Sequence, residues 1–195
     1  MILSKFRGLA AACTVLVLGL SAHNSFADAG HKDASKIGKP GKANEVTRTI
    51  NVKMFDSYYE PKSLSIKEGE TVRFVVHNAG ELVHEFNIAT HEMHMAHAPE
   101  MMKMMESGVL EADRINRDAG KAMSGSMGNS SMGKGAMGHG SMMSGMHDDP
   151  NSVLLEPGKS GEIIWTFPKH AKLEFACNVP GHYDAGMKGL IKLSH

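Results

Sequence analysis

Apolar and polar residues alternate along short segments on both sides of a long interruption in the chain. Alternation with a period of two, or a short run rich in β-branched residues, is typical of β-strands bounded by turns. The segments with this pattern are residues 46–54, 64–66, 71–77, 85–88, 153–155, 160–167, 173–175 and 189–193. No convincing core helix accompanies them, and the pattern therefore predicts an all-β, Greek-key sandwich.

Composition sets the boundaries around these strands. Residues 28–44 contain four lysines, three glycines and few large apolar side chains, which predicts a flexible N-terminal linker. The predicted domain then spans residues 45–195 and is interrupted by an insertion at residues 89–150. Within the domain, residues 58–61 are predicted to be a turn whose aromatic rings pack at the sandwich edge, and Trp165 is predicted to lie in the core.

The N-terminus has the pattern of an export signal. Lys5 and Arg7 precede an apolar run at residues 9–20, and residues 25–27 match a small-x-small cleavage site. We therefore expect residues 1–27 to be a signal peptide and the mature protein to be periplasmic, without stable membrane insertion.

Two other uses of the same apolar run remain open. A lipoprotein signal would use Cys13, but the apolar run continues beyond that residue. An uncleaved anchor is the second alternative, and the run is short for a membrane span. Cleavage before Asp28 accounts best for the pattern.

The charge balance argues against nucleic acid or an anionic membrane surface as a partner. The chain has 21 basic and 21 acidic residues, a formal net charge of zero, and no basic block. Signal cleavage would remove Lys5 and Arg7 and leave 19 basic against 21 acidic residues. A net charge of about −2 is too small to steer partners electrostatically.

The chemistry concentrates on a short loop near the C-terminus. Cleavage would leave Cys177 as the single cysteine, and a lone thiol in an exported protein is either buried and inert or held by a metal. His182 and Met187 follow with the spacing C-x4-H-x4-M, and Gly181 and Gly186 allow tight turns between them. A thiolate, an imidazole and a weak axial thioether form most of a type 1 copper ligand set, which also needs a second histidine.

Two upstream histidines compete for that fourth position. His77 lies in a strand just before a turn and is typical of a solvent-facing residue at a strand end. His84 follows the loop at residues 78–82 and precedes an apolar strand. Both positions offer an imidazole far from the C-terminal loop in sequence.

The C-x4-H-x4-M loop with an upstream histidine resembles that of the cupredoxins, the plastocyanin/azurin-like copper proteins. The chain looks most like the periplasmic copper-tolerance cupredoxins that carry a Met/His-rich insertion, over roughly residues 45–195 apart from that insertion. The resemblance implies a rigid β-sandwich and selects His84 over His77. It thereby implies one type 1 copper site, whose ligands are His84, Cys177, His182 and Met187.

One residue departs from the family pattern. The residue after the upstream histidine is often Asn in better-known cupredoxins, where it ties the two ligand loops together. Here it is Glu85. The hydrogen bonds that hold and tune the ligands therefore cannot be copied from the family, and we expect Asn87 or Asn178 to take that role.

The insertion holds thirteen of the sixteen methionines and five histidines, but no cysteine. Its first part is predicted to form a short helix beginning at Pro99, and residues 123–146, where Met alternates with Gly and Ser, are predicted to be disordered. Two interpretations compete: a low-complexity linker with Met as adaptable packing, or a collector of Cu(I), which thioethers favour over hard cations. A local cluster is predicted among the residues His91, Met93, His94, Met95 and His97.

Two classes of function fit these features. The first is a copper-tolerance protein that binds copper at a redox-active site and collects additional Cu(I) with its insertion. The second is an electron carrier between redox partner proteins, which has no need of that insertion.

Four protein ligands leave no open coordination position for a substrate, by contrast with catalytic metal sites. We therefore expect a binding protein and not an enzyme, with copper ions as its partners, although a redox-active centre could also oxidise Cu(I). A redox protein or a copper-efflux component is a further expected partner.

Overall fold

The computed structural model describes residues 36–119 and 149–195, which form two β-sheets and a helix packed against them. The predicted signal peptide at residues 1–27 and the predicted disordered segment at residues 123–146 lie outside the described residues. In the described ranges, no helix is both long enough and apolar enough to cross a membrane.

The strands divide equally between two sheets. In chain order they are β1 (Lys39–Pro40), β2 (Arg48–Phe55), β3 (Tyr58–Glu60), β4 (Ser63–Lys67), β5 (Thr71–Asn78), β6 (His84–Ala89), β7 (Ser152–Leu155), β8 (Ser160–Thr166), β9 (Leu173–Ala176) and β10 (Lys188–Ser194). One sheet has the order β1-β8-β5-β2-β3 and the other the order β4-β10-β9-β6-β7. The pairs β2–β5 and β4–β10 are parallel, and the other pairs are antiparallel. The predicted all-β, Greek-key sandwich is confirmed.

Strand β5 shows how the alternating pattern builds the core between the sheets. Val72, Phe74 and Val76 are fully buried, whereas Arg73 and Val75 between them are only partly buried. Successive strand residues point to opposite faces, so these three side chains all face the second sheet. Burying each of them contributes about 1.5–3 kcal/mol to folding.

The prediction of a flexible linker over residues 28–44 is wrong for its last part. Ile37 is 1% exposed in the core, and its carbonyl accepts a hydrogen bond of 2.8 Å from Trp165 Nε1. Gly38, with a φ of 115°, turns the chain so that β1 can pair with the edge of β8. One large apolar side chain is enough to anchor a segment that is otherwise polar. Trp165 lies in the core, as predicted.

The predicted turn at residues 58–61 contains a short strand, β3, which pairs with β2. Tyr59 is 1% exposed and donates a hydrogen bond of 2.6 Å to the carbonyl of Glu85. Its ring meets Phe175 edge-on, with 5.1 Å between centroids. Tyr59 therefore packs beneath the second sheet and not at the sandwich edge, where Tyr58 is 39% exposed.

Helix α1 (His91–Glu106) begins eight residues earlier than Pro99, the predicted start. Its N-cap is Thr90, whose hydroxyl accepts a hydrogen bond of 3.3 Å from the backbone N–H of Met93 and so satisfies a free helix-end donor. Pro99 lies inside the helix and removes one backbone donor there. Met101 is 0% exposed within the core cluster, so this part of the insertion is an integral part of the folded domain.

Candidate metal centre

The second sheet brings the predicted donors to one end of the sandwich. β6 begins at His84, β9 ends immediately before Cys177, and β10 begins immediately after Met187. Because β9 is antiparallel to both β6 and β10, the start of β6, the end of β9 and the start of β10 lie at the same end of the sheet. His182 belongs to the loop that joins β9 to β10.

His84, Cys177 and His182 face one another at this end of the sheet. The Sγ atom of Cys177 lies 4.0 Å from His84 Nδ1 and 3.4 Å from His182 Nδ1, and the two Nδ1 atoms lie 3.2 Å apart. Cys177 and His84 are both 0% exposed. His77, the competing histidine, lies in the other sheet and forms a hydrogen bond of 2.9 Å with Ser160. The geometry therefore brings His84, and not His77, to the C-terminal pair.

The spacing of these three atoms fits a single metal ion. A first-row metal bonds thiolate sulfur at about 2.3 Å and imidazole nitrogen at about 2.0 Å. With bond angles of about 100–120°, these lengths place neighbouring donors about 3.1–3.8 Å apart. The observed donor separations of 3.2, 3.4 and 4.0 Å lie close to that range. One sulfur and two nitrogens are also the equatorial donors that type 1 copper sites use, so the arrangement matches the predicted ligand set.

Met187 is 0% exposed. Backbone hydrogen bonds link it to Cys177 and His182, the other two predicted ligands on its loop. The Cys177 N–H donates to the Met187 carbonyl at 3.1 Å, and the Met187 N–H donates to the His182 carbonyl at 3.0 Å. Gly181 and Gly186 have φ values of 86° and 96°, the left-handed conformation that favours glycine. The two predicted tight turns are therefore present and close the loop around its donors.

Burial sets the protonation of the donors in the metal-free protein. It raises the pKa of the Cys177 thiol to about 12, against the opposing hydrogen bond from the Glu85 N–H. Burial also lowers the pKa of both His84 and His182. At neutral pH the imidazoles are thus uncharged and ready to coordinate, whereas the thiol must release its proton when a metal binds.

Asp56 holds the His84 ring in position from the side opposite the cluster. His84 Nε2 lies 3.0 Å from Asp56 Oδ1, which also accepts the N–H groups of Glu81 and Leu82 at 2.8 and 3.2 Å. Although burial opposes it, these hydrogen bonds lower the pKa of Asp56. An ionised carboxylate can only accept, so Nε2 carries the proton and the lone pair of Nδ1 faces Cys177. A Cβ at Gly80 would overlap both groups of the pair.

Glu85 joins the two ligand segments, and Asn178 is its partner. The Asn178 backbone N–H and side-chain amide donate to Glu85 Oε2 at 3.1 and 2.8 Å. Ser152 and Asn87 donate to Oε1 at 2.6 and 3.2 Å. The Glu85 N–H in turn donates to Cys177 Sγ at 3.3 Å. The expectation that Asn178 takes part is met, but the bridging group itself is the carboxylate at position 85.

Helix α1 contributes a buried cation to this carboxylate. His97 Nε2 lies 3.5 Å from Glu85 Oε1, and His97 Nδ1 lies 3.0 Å from Glu100 Oε2. Burial would lower the pKa of His97, but the two carboxylates outweigh it and raise that pKa to about 9. Burial would raise the pKa of Glu85, but His97, Ser152 and Asn178 lower it to about 2. The histidine-rich helix is therefore held by an ion pair beside the candidate centre.

The three histidines of the predicted cluster on the insertion, which also included Met93 and Met95, do not converge on one point. His91 contacts the Tyr183 hydroxyl at 2.8 Å, His94 is buried against Asn178 at 3.1 Å, and His97 pairs with Glu85. In the part of the chain that the structure describes, the groups of three close metal-ligating side chains do not include these histidines. Each one instead fastens α1 to the sandwich at a different point.

Sequence reasoning missed Asp56 and the bridging role of Glu85. Asp56 comes directly after β2, which lies beside β5 in parallel, so both strands end at the edge where His84 follows. A carboxylate at that strand end was the available signal. Glu85 gave a weaker signal. Acidic residues are seldom buried, so its role could be recognised only once its hydrogen-bond donors were located in three dimensions.

Comparisons with known proteins identify a family model and relatives that this chain resembles. A family model described as a cupredoxin-like domain matches residues 11–115, a range that includes His84 and ends before Cys177. The "Copper-resistant cuproprotein CopI" of Pseudomonas aeruginosa is 47% identical over 176 residues, covering 90% of this chain and 92% of that protein. A protein of the same name from Rubrivivax gelatinosus is 32% identical over 188 residues, covering 90% and 91%.

Solved structures agree on the fold. Auracyanin B aligns with a TM-score of 0.52 at 19% identity, covering 81% of this chain and 96% of that one. Together with the matched family model and the relative at 47% identity, this likeness shows that the chain belongs to the cupredoxin-like family.

Proposed function

We propose that the protein binds one copper ion at a type 1 site formed by His84, Cys177, His182 and Met187, and that it serves copper tolerance in the periplasm. The observation that carries the proposal is the enclosed group of one sulfur and two Nδ1 atoms, with separations of 3.2–4.0 Å. The name copper-resistant cuproprotein, borne by relatives covering 90% of the chain, supports the choice of copper and of tolerance.

The framework prepares the donors before a metal arrives. Asp56 fixes the tautomer of His84, and Glu85 ties Asn178, beside Cys177, to the start of β6. The Glu85 N–H directed at Cys177 Sγ stabilises the thiolate once its proton has left. Ligands held in this way lose little conformational freedom on binding. Copper bound there supplies one-electron chemistry between Cu(I) and Cu(II).

Of the four proposed ligands, His182 is the one that solvent can reach. Cys177, His84 and Met187 are each 0% exposed, whereas His182 is partly exposed on the connecting loop. The ring of His182 would therefore offer electrons the most accessible route to a bound copper ion, and the three buried side chains would exclude water and small substrates from it. This enclosure supports a binding and redox role without catalytic turnover.

A growth assay tests the tolerance function. Deleting the gene should make its host sensitive to copper, and the wild-type gene should restore growth, whereas the Cys177→Ser gene, expressed to the same level, should not. Normal growth of the deletion strain in copper, together with defective respiration, would contradict copper tolerance and favour the electron-carrier alternative.

We further propose that helix α1 contributes to Cu(I) collection through its exposed face. Met95, Met102 and Met105 are 41%, 45% and 36% exposed and lie within about 80° of one another around the helix axis. Met101, by contrast, is 0% exposed in the core. The thioethers of the three exposed methionines can coordinate a soft cation from solvent. Met101 instead packs in the core, as the alternative interpretation of the methionines predicts.

Substituting the exposed methionines separates these roles. The change Met95→Leu/Met102→Leu/Met105→Leu should lower the amount of Cu(I) bound under reducing conditions, because it removes three solvent-exposed thioethers, which are donors that soft cations prefer. The buried substitution Met101→Leu is the matched control and should leave the Cu(I) count unchanged, as measured by competition with a chromophoric Cu(I) chelator. Equal counts in the triple variant and the wild type would remove α1 from the proposed collector.

Removing residues 89–150 altogether is not a suitable test, because Met101, Val109 and Leu110 are buried in the domain. Deletion of residues 120–148 instead spares every described residue and removes seven methionines. That variant should keep the visible absorption of the copper-loaded centre and bind less Cu(I).

A further inference from the structure

A second group of metal-ligating side chains lies at the opposite end of the sandwich. Glu68 follows β4, His170 precedes β9 and His195 follows β10. β10 starts beside the loop that carries Cys177 and runs over Lys188–Ser194 to this far end. At about 3.3 Å per strand residue, its seven residues separate the two groups by about 20 Å.

The ligand atoms of the three side chains converge. One atom from each of Glu68, His170 and His195 lies within 4.8 Å of the other two. His170 Nδ1 is 3.3 Å from Glu68 Oε1, and His195 Nδ1 is 3.0 Å from Glu68 Oε2. The two imidazole rings lie 5.3 Å apart, tilted by 56° relative to each other. The histidine side chains are 73% and 80% exposed, whereas that of Glu68 is only 11% exposed, so a cation from solvent can reach all three.

The backbone holds the carboxylate in place. The Glu68 N–H donates to the Ser194 carbonyl at 2.8 Å, which joins the turn after β4 to the end of β10. The His170 N–H donates to Glu68 Oε1 at 2.9 Å. Among the described residues, His170 is the non-glycine residue with a positive φ, 55°. This left-handed conformation directs both its N–H and its ring toward Glu68.

We propose that Glu68, His170 and His195 form a second, surface metal site that binds a borderline divalent cation, with Cu(II) held most tightly. Two imidazoles and one carboxylate suit zinc, nickel and Cu(II), and they leave a further position for water. The usual order of affinity among first-row divalent cations places Cu(II) highest for such nitrogen and oxygen donors. The site contains no sulfur, so it would hold the oxidised form of copper and not Cu(I). This inference does not rest on the proposed type 1 centre.

Titration of the full-length Cys177→Ser protein with CuCl₂ tests the site, because that background lacks the thiolate of the buried centre. His170→Asn combined with His195→Ala should lose about one equivalent of bound Cu(II) by isothermal titration calorimetry. The change should also remove a tetragonal nitrogen/oxygen Cu(II) component from the electron paramagnetic resonance spectrum. Asn is chosen at position 170 because it tolerates a left-handed backbone.

His77→Ala, which alters a histidine outside the group, is the matched control and should bind as much Cu(II) as the Cys177→Ser parent. His195→Ala alone changes one exposed side chain at a strand end and should weaken Cu(II) binding at this site at least about 10-fold. Unchanged stoichiometry and spectrum in the double variant, with native circular dichroism, would overturn the proposal. If the double variant does not fold, unchanged binding by His195→Ala overturns it in the same way.

Discussion

We expect the copper-loaded protein to absorb visible light intensely and to lose that absorption completely when Cys177 is replaced by Ser. That absorption arises from charge transfer between a thiolate and Cu(II), and Cys177 is the free cysteine of the described residues, 0% exposed between His84 and His182. A serine hydroxyl has nearly the same shape but no sulfur, and it is a harder ligand that suits copper poorly. The measurement is an absorption spectrum of each protein after loading with Cu(II) and removal of unbound metal.

Two histidine variants serve as controls for this experiment. His84→Ala should also lose the absorption, because it removes an equatorial donor, whereas His77→Ala should retain it, since that ring contacts Ser160 in the other sheet. Persistence of the colour in Cys177→Ser would contradict the ligand assignment. Loss of the colour in His77→Ala, with the colour retained in His84→Ala, would assign the second imidazole ligand to His77 instead of His84.

The second large effect concerns the ion pair between α1 and the bridging carboxylate. Replacing His97 by Ala should lower the free energy of unfolding by about 3 kcal/mol at pH 6, because it leaves a buried charge with one partner fewer. Glu85 is 1% exposed, so its charge depends on its protein partners and gains little from bulk water. Urea unfolding of the metal-free protein, followed by the fluorescence of the single tryptophan, Trp165, measures the change.

The same substitution should cost progressively less as the pH rises. The pKa of His97 is raised from an ordinary 6.5 to about 9 in the folded protein. A raised pKa means that the folded state binds the proton more tightly, so the stabilisation is complete below pH 6.5 and is lost as the pH rises through 9. At pH 9.5 and above, the difference between wild type and His97→Ala should therefore be small.

His91→Ala is the matched control on the same helix. Its side chain is 67% exposed and lies 3.6 Å from Glu174, which is 14% exposed. Because solvent reaches the imidazole, its loss should cost only about 0–1 kcal/mol. A cost for His97→Ala that is equally large at pH 6 and pH 9.5 would show that packing, and not charge, carries the effect.

The strands could be predicted because their alternation is long enough to show a period. In β5, the buried positions Val72, Phe74 and Val76 are visible in the sequence as every second residue. β1 covers only Lys39–Pro40, which is too short to show any period, and it is held in place by the burial of Ile37. The extent of α1 was obscured because methionine is abundant on both its buried and its exposed faces, so its apolar stripe has little contrast.

The candidate site was predictable where its donors are close in the chain. Cys177, His182 and Met187 share one loop, and their spacing alone suggested a common ion. His84 needed the family resemblance, because a separation of 93 residues from Cys177 carries no local signal. Asp56 and the bridging role of Glu85 depend on how strands from different parts of the chain meet. Those contacts become visible only in the folded structure.

X-ray absorption at the copper edge of the loaded wild-type protein tests the central claim most directly, because it reports the atoms bonded to the metal. We expect one short copper–sulfur bond from Cys177 and two copper–nitrogen bonds with the outer-shell scattering of imidazole rings, from His84 and His182. A spectrum with only nitrogen and oxygen neighbours, or with several equivalent thioether sulfurs and no imidazole, would contradict the account.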